Sequence, residues 1–124
     1  CKNDAYRAVD DAGLKGIKYP PNFLGIMVPC AGAVNGAIIA KAISAGIDGI
    51  LIAGCPDNQC HYIQGSTLAK ARLTDISNKL KEMYLEPERV RFVSISRDES
   101  EKFAQTIMEY VEELKKMGRN PLRI

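Results

Sequence analysis

The 124-residue sequence predicts an α/β protein with an open, mostly parallel sheet of about four strands and helices on both faces, a Rossmann- or flavodoxin-like arrangement. Three observations predict this class. Short apolar runs alternate with longer helical patterns, and Gly and Pro separate them. One run, "GILIAG" at 49–54, is uninterrupted, as in strands that helices cover on both sides. The length fits one domain.

The elements follow from these patterns in order. Strands are predicted at 23–28 ("FLGIMV"), 49–54 and 90–96 ("VRFVSIS"). Helices are predicted at 34–46, at 66–84 and ahead of Gly118, where apolar residues recur at helical spacing.

The first residues predict a helix that is not preceded by the strand expected in a repeated strand–helix arrangement. Asn3 or Asp4 can cap a helix that runs to Gly13, and Cys1 lies where a preceding strand would lead into it. In a right-handed parallel arrangement that strand would be the first and central one. We therefore expect a first strand truncated at the N-terminus. Residues 1–124 would be one domain and a fragment of a longer polypeptide, which fits the absence of an initiator methionine.

Composition excludes several partners. Lys and Arg number 17 against 15 Asp and Glu, and the two signs are interspersed, so no basic face is available for nucleic acid. No apolar stretch approaches the roughly 18 to 20 residues of a membrane span, which predicts no direct membrane insertion. No signal sequence is visible, and this predicts a cytoplasmic location.

The four cysteines are placed at predicted strand ends. Cys1 and Cys30 follow the predicted first and second strands, Cys55 follows the third, and Cys60 lies in the loop that leaves the third. Carboxyl ends of parallel strands share one edge of a sheet, and neighbouring strands are about 4.8 Å apart. The sequence therefore predicts one site of convergent thiols.

The spacing C-x28-C-x24-C-x4-C leaves the ligand open. An iron–sulfur cluster needs four thiolates and tolerates such spacing. Structural zinc sites commonly use two pairs of closely spaced cysteines, and this chain has only one such pair. Cysteines that bind nothing, in a docking or interaction domain, are the remaining interpretation. Disulfides are disfavoured because no secretion signal is visible. Small residues after Cys30 and the tight loop after Cys55 favour a cluster.

At this point the sequence resembles a known family. "YPPN" before a strand, "GC-x4-CHY", "EPERVRF", and "EKFA" followed by "G-x-NPL" occur in the order found in the delta subunit of methyl-viologen-reducing hydrogenase. The resemblance covers essentially the whole chain. It is strongest to the version fused to heterodisulfide-reductase-A-like proteins, such as the B subunit of the quinone-interacting membrane-bound oxidoreductase complex.

The resemblance implies one [2Fe-2S] cluster, with the family's cysteine positions falling on Cys1, Cys30, Cys55 and Cys60. It implies electron relay to a flavin- and iron–sulfur-containing heterodisulfide-reductase-like subunit or domain. The other partner would be a hydrogenase, a formate dehydrogenase or a quinone-linked protein. Hydrogenase subunits of this family usually open with C-x-x-C, and the second cysteine is Asp4 here. Whether Asp4 takes part in ligation stays open.

Two polar residues adjoin Cys60. Histidine-ligated two-iron centres use two histidines, and His61 is the only one in the chain. We interpret His61 and Gln59 as hydrogen-bonding groups beside the cluster or contacts towards a partner. No phosphate-binding glycine motif and no suitable carboxylate pair is present, so the sequence predicts an electron-carrying part of an oxidoreductase complex with no substrate site of its own.

Overall fold

A computed structural model describes residues 1–2, 4–18, 20, 23–55 and 65–122. The helices and strands within them are α1 (Ala5–Leu14), α2 (Gly36–Ser44), β1 (Ile50–Gly54), α3 (Gly65–Glu82), β2 (Val90–Ser94) and α4 (Ser100–Met117). From α2 onward, helices and strands alternate. The two strands pair in parallel, with Ile50 opposite Val90 and Gly54 opposite Ser94. The predicted α/β class with a parallel sheet is confirmed.

The predicted strand at 23–28 is not formed, and this prediction was wrong for the chain as described. The segment has no regular structure, and the side chains of Leu24 and Ile26 are 86% and 76% exposed. A strand needs a neighbour for its backbone N–H and C=O groups, and no described strand flanks this segment. The described sheet therefore has two strands, and the four-strand Rossmann- or flavodoxin-like arrangement is not confirmed.

Helices cover the sheet on both faces, as predicted. Successive side chains of a strand point to opposite faces. Ile50 and Ile52 accordingly join a core with residues of α2 and α3. Leu51 and Ala53 join a second core with residues of α1 and α4. Strand β1 is thus enclosed from both sides, which explains its unbroken apolar sequence.

The helix ends are set by local residues. Asn35 caps α2, because its side-chain oxygen accepts a hydrogen bond from the Ile38 N–H at 2.9 Å. Helix α4 ends at Gly118, whose φ of +82° lies in the left-handed region that favours glycine.

Among the described helices, none is both long and apolar enough to cross a bilayer.

A buried guanidinium ties the amino ends of both strands together. The Arg89 side chain is 0% exposed. It donates to the carbonyl oxygen of Asp48 at 2.8 Å and to those of Gly118 and Arg119 at 3.1 and 3.2 Å. Its Nε also donates to the Glu86 carboxylate at 2.7 Å. We call these contacts the Arg89 clamp. It joins the turns before β1 and β2 to the end of α4.

Two neighbouring side chains reinforce this end of the sheet. The Asn120 amide donates to the carbonyls of Ile43 and Ile47 at 2.9 and 2.8 Å, and its backbone N–H donates to Asp48 at 2.8 Å. The Tyr110 hydroxyl on α4 donates to the Arg89 carbonyl at 2.8 Å. Burial raises the pKa of this hydroxyl well above its ordinary value, so the donor persists at all ordinary pH values.

We expect Arg89→Met to lower the free energy of unfolding by about 3 kcal/mol or more, because it leaves several buried carbonyls without their donor. Urea denaturation measures this loss. Lys115→Met is the matched control, since Lys115 is exposed and its contact with Glu112 at 3.3 Å lies on the surface. The control substitution should lower the free energy of unfolding by less than about 1 kcal/mol. Equal losses in the two variants would show that the clamp adds nothing beyond a surface ion pair.

Candidate metal centre

Two cysteines meet at the carboxyl end of β1. Cys55 directly follows the strand and is buried. The amino nitrogen of Cys1 donates a hydrogen bond to the Ala53 carbonyl oxygen at 2.7 Å. This bond places Cys1 beside the end of β1, although the two cysteines are far apart in the sequence.

A carboxylate joins these two thiols. One ligand atom each of Cys1, Asp4 and Cys55 lies within 4.8 Å of the other two. We call these residues the thiol–carboxylate group. Two sulfurs and one oxygen at this separation can share a single zinc ion or one metal of a cluster. No disulfide links the three cysteines that the structure describes.

Cys30 adjoins this group. It is buried and precedes a 3₁₀ turn at Ala31–Ala33. Burial lowers the pKa of the Cys1 amino group below its ordinary value, while negative charge on Cys30, Cys55 and Asp4 acts in the opposite direction. Cys30 is therefore close enough to influence Cys1 electrostatically, even though the strand predicted before it is not formed.

The remaining predicted site residues lie outside the described part of the chain. These are Cys60, the proposed fourth cysteine ligand, and its two neighbours Gln59 and His61. Their roles stay predictions. Cys55 leads directly into this segment, and Gly65 at the start of α3 follows it.

Asp4 has a role that sequence reasoning assigned only in part. It occupies the N-cap position of α1, yet its side chain makes no capping hydrogen bond. Its carboxylate instead accepts from the backbone N–H of Arg97 at 3.3 Å and lies 3.8 Å from the Arg97 guanidinium. Arg97 follows β2, so these contacts hold Asp4 beside the sheet. The family resemblance, in which a second cysteine usually stands at this position, indicated Asp4, whereas no local pattern indicated Arg97.

A close backbone approach brings the Cys30 loop to the start of α3. A Cβ atom on Gly32 would lie 2.9 Å from the Cα of Gly65 and 3.1 Å from its carbonyl oxygen. Only glycine permits this contact, since the obstructing atoms are backbone. From α3, Arg72 donates to the carbonyls of Gly32 and Val34 and fixes the same loop. The loop after Cys30 is thereby held against the start of α3.

We expect Gly32→Ala to lower the free energy of unfolding by about 1–3 kcal/mol, because two backbones must separate to admit the methyl group. Thermal or urea denaturation measures the change. Gly13→Ala provides the matched control, since a Cβ there meets nothing within 4 Å. Gly13 lies in α1, so alanine should be neutral or stabilising by up to ~1 kcal/mol. If Gly32→Ala were equally benign, the packing of the Cys30 loop against α3 would not depend on this contact.

The fold and the site together define a class: a parallel α/β domain that gathers cysteine thiols and a carboxylate at the carboxyl end of its sheet. Residues 1–118 match the profile of the family described as methyl-viologen-reducing hydrogenase, delta subunit. The chain belongs to this family, which confirms the resemblance seen in the sequence.

Individual relatives fall into two groups of very different length. The chain is 39% identical over 118 residues to the A subunit of the ferredoxin/F420H2-dependent CoB-CoM heterodisulfide reductase of Methanosarcina acetivorans. That match covers 95% of the chain but 15% of the reductase protein. The chain is 37% identical to the iron-sulfur D subunit of the F420-non-reducing hydrogenase of Archaeoglobus profundus, covering 95% of the chain and 86% of the relative. The chain thus corresponds to a small part of one relative and most of the other.

Proposed function

We propose that this chain is an electron-transfer domain that binds one [2Fe-2S] cluster through Cys1, Cys30, Cys55 and Cys60. One observation carries the proposal: the thiols of Cys1 and Cys55 lie within 4.8 Å of each other at the carboxyl end of β1. Cysteines that served only as small core residues would have no reason to meet there. The third described cysteine, Cys30, is buried nearby.

The residues present fit such a group. Thiolates are the usual ligands of iron–sulfur clusters, and three of the four proposed ones are at least partly buried. Ala31 and Gly54 are buried and small, and they limit the side-chain volume around the cysteines. When bound, a [2Fe-2S] cluster supplies one-electron transfer.

The chain's own residues would tune the site and keep water away from it. Helices α1 and α4 cover the face of β1 adjoining Cys1 and Asp4. Asp4 places a negative charge beside the thiols, which favours the oxidised, less negative state of a bound centre. His61 and Gln59 are proposed as hydrogen-bonding groups beside the cluster or contacts towards a partner.

The names of the relatives support redox enzymes as partners in general. One is the iron-sulfur protein of a hydrogenase, and the other is the A subunit of a heterodisulfide reductase. We propose that the chain relays electrons to a flavin- and iron–sulfur-containing heterodisulfide-reductase-like subunit or domain. Its other partner would be a hydrogenase, a formate dehydrogenase or a quinone-linked protein. The chain would have no substrate of its own, and a cytoplasmic location stays a prediction.

The direct test is anaerobic purification followed by analysis of iron, acid-labile sulfide and visible absorption. We expect about two irons and two sulfides per chain. Stoichiometric zinc without sulfide would instead support the structural zinc site. Absence of any metal, with four titratable thiols, would support a docking domain without redox activity.

Substitution tests the ligand assignment. Cys55→Ser and Cys60→Ser should each abolish the visible absorption of the cluster, because a hydroxyl binds iron more weakly than a thiolate. Far-ultraviolet circular dichroism should show that the α/β fold persists, since the two hydrophobic cores do not include the metal. Ala33→Ser is the matched control, an exposed position in the turn after Cys30. Normal spectra in both cysteine variants would disprove the assignment.

Asp4→Asn separates a charge beside the cluster from a ligand of it. We expect iron to be retained and the midpoint reduction potential of the cluster to rise by on the order of 100 mV, since one negative charge within ~5 Å of its ligands is removed. Redox titration of the purified protein measures the shift. Asp11→Asn is the matched control, because Asp11 pairs with Lys15 at 2.9 Å and lies about 10 Å further along α1. Loss of iron in Asp4→Asn alone would make Asp4 a ligand.

A further inference from the structure

The guanidinium of Arg97 adjoins the thiol–carboxylate group from a segment far along the chain. Its Nε lies 3.8 Å from Oδ1 of Asp4, and the backbone N–H of Arg97 donates to the same oxygen at 3.3 Å. The side chain of Asp4 is 4% exposed, whereas that of Arg97 is 55% exposed. A cation at the surface thus reaches inward to a buried carboxylate.

This carboxylate requires a positive charge nearby when the thiols hold a metal. A ligand atom of Asp4 lies within 4.8 Å of those of Cys1 and Cys55, so thiolates there repel its negative charge. Water offsets little of this repulsion, because the Asp4 side chain is buried. The two contacts from Arg97 supply an opposite charge and a hydrogen bond. Arg97 therefore compensates a charge that would otherwise disfavour a centre with several thiolates.

The orientation of Asp4 is set by these contacts and not by the helix that it precedes. A carboxylate at the N-cap position commonly accepts from a backbone N–H of the first turn, and this stabilises the helix by ~1 kcal/mol. Asp4 occupies that position before α1 and makes no such bond. Its Oδ1 meets the backbone and side chain of Arg97 instead.

The loop that carries Arg97 is fixed by its own hydrogen bonds. The N–H of Ile95 donates to the Gly54 carbonyl at 2.8 Å, which extends the pairing of the two strands towards Arg97. The N–H of Ser96 then donates to the Glu99 carboxylate at 2.9 Å, and the N–H of Glu99 donates to the Ser96 carbonyl at 3.0 Å. These reciprocal bonds close a turn around Arg97. Its N–H is thus held at the carboxyl end of the sheet, where Asp4 lies.

We propose that Arg97 is a positioning residue of the metal centre, which neutralises Asp4 and holds its carboxylate towards the loop after β2, outside the set of metal ligands. The inference rests on the proposed function, in which four thiolates already complete that set. Removal of the guanidinium leaves an uncompensated carboxylate beside the thiols, and this carboxylate becomes available to a bound metal. A more negative site also binds a divalent cation more tightly.

Titration of the metal-free chain with cobalt(II) tests the proposal, because the visible d–d bands of bound cobalt(II) depend on its ligands. We expect Arg97→Gln to bind cobalt(II) on the order of tenfold more tightly and to alter these bands, since Asp4 joins the ligands. Arg97→Lys keeps the positive charge and should resemble the unsubstituted chain. Arg7→Gln is the matched control, since it removes the same charge from an exposed position in the first turn of α1. It should change neither the affinity nor the bands.

A double variant shows whether the effect depends on Asp4. In an Asp4→Asn background, Arg97→Gln should leave the cobalt(II) bands as they are in Asp4→Asn alone. Weaker cobalt(II) binding by Arg97→Gln would show that Arg97 supports Asp4 as a ligand, and this would overturn the proposal. Unchanged bands and affinity in Arg97→Gln, or no cobalt(II) binding by any of the chains, would overturn it as well.

The cobalt(II) comparison and the analysis of iron and acid-labile sulfide can fail independently. Iron and sulfide in the purified chain, together with identical cobalt(II) spectra for Arg97→Gln and the unsubstituted chain, would support the proposed function and reject the role of Arg97. Absence of iron, together with the expected cobalt(II) differences, would reject the cluster and retain Arg97 as the residue that positions Asp4.

Discussion

The parallel pairing of β1 with β2 is the constraint on which the rest of the structure depends. It sends the carboxyl ends of both strands to one edge, where Cys55 and Arg97 emerge. Arg97 then holds Asp4, and the end of β1 holds Cys1. An antiparallel pair would place Cys55 and Arg97 at opposite ends of the sheet, and Arg97 could not hold Asp4 beside Cys55.

The sequence predicted what local patterns determine. Helical spacing located the four α-helices that the structure describes to within a few residues, and the uninterrupted apolar run located β1. The gathering of Cys1 and Cys55 also followed from a general rule about parallel strand ends. Such predictions succeed because each depends on the side chains of one segment or on chain direction alone.

Sequence patterns could not predict contacts between segments that are far apart in the chain. The run at 23–28 has strand composition, but composition does not provide a hydrogen-bonded neighbour. Asp4 looked like a helix cap, and only the position of Arg97, far along the chain, explains why its carboxylate turns elsewhere. The contact between Gly32 and Gly65 likewise has no local signature, since both glycines read as ordinary loop or helix-start residues.

The Arg89 clamp lies at the amino ends of the strands, whereas the cysteines lie at the carboxyl ends, about 16 Å away for strands of five residues. The Arg89 clamp and the thiol–carboxylate group therefore share no residue. Substitutions near the thiols can therefore accumulate without loosening the far end. If the domain carries electrons as proposed, the properties of its metal centre can change to suit a new partner while its framework stays unchanged.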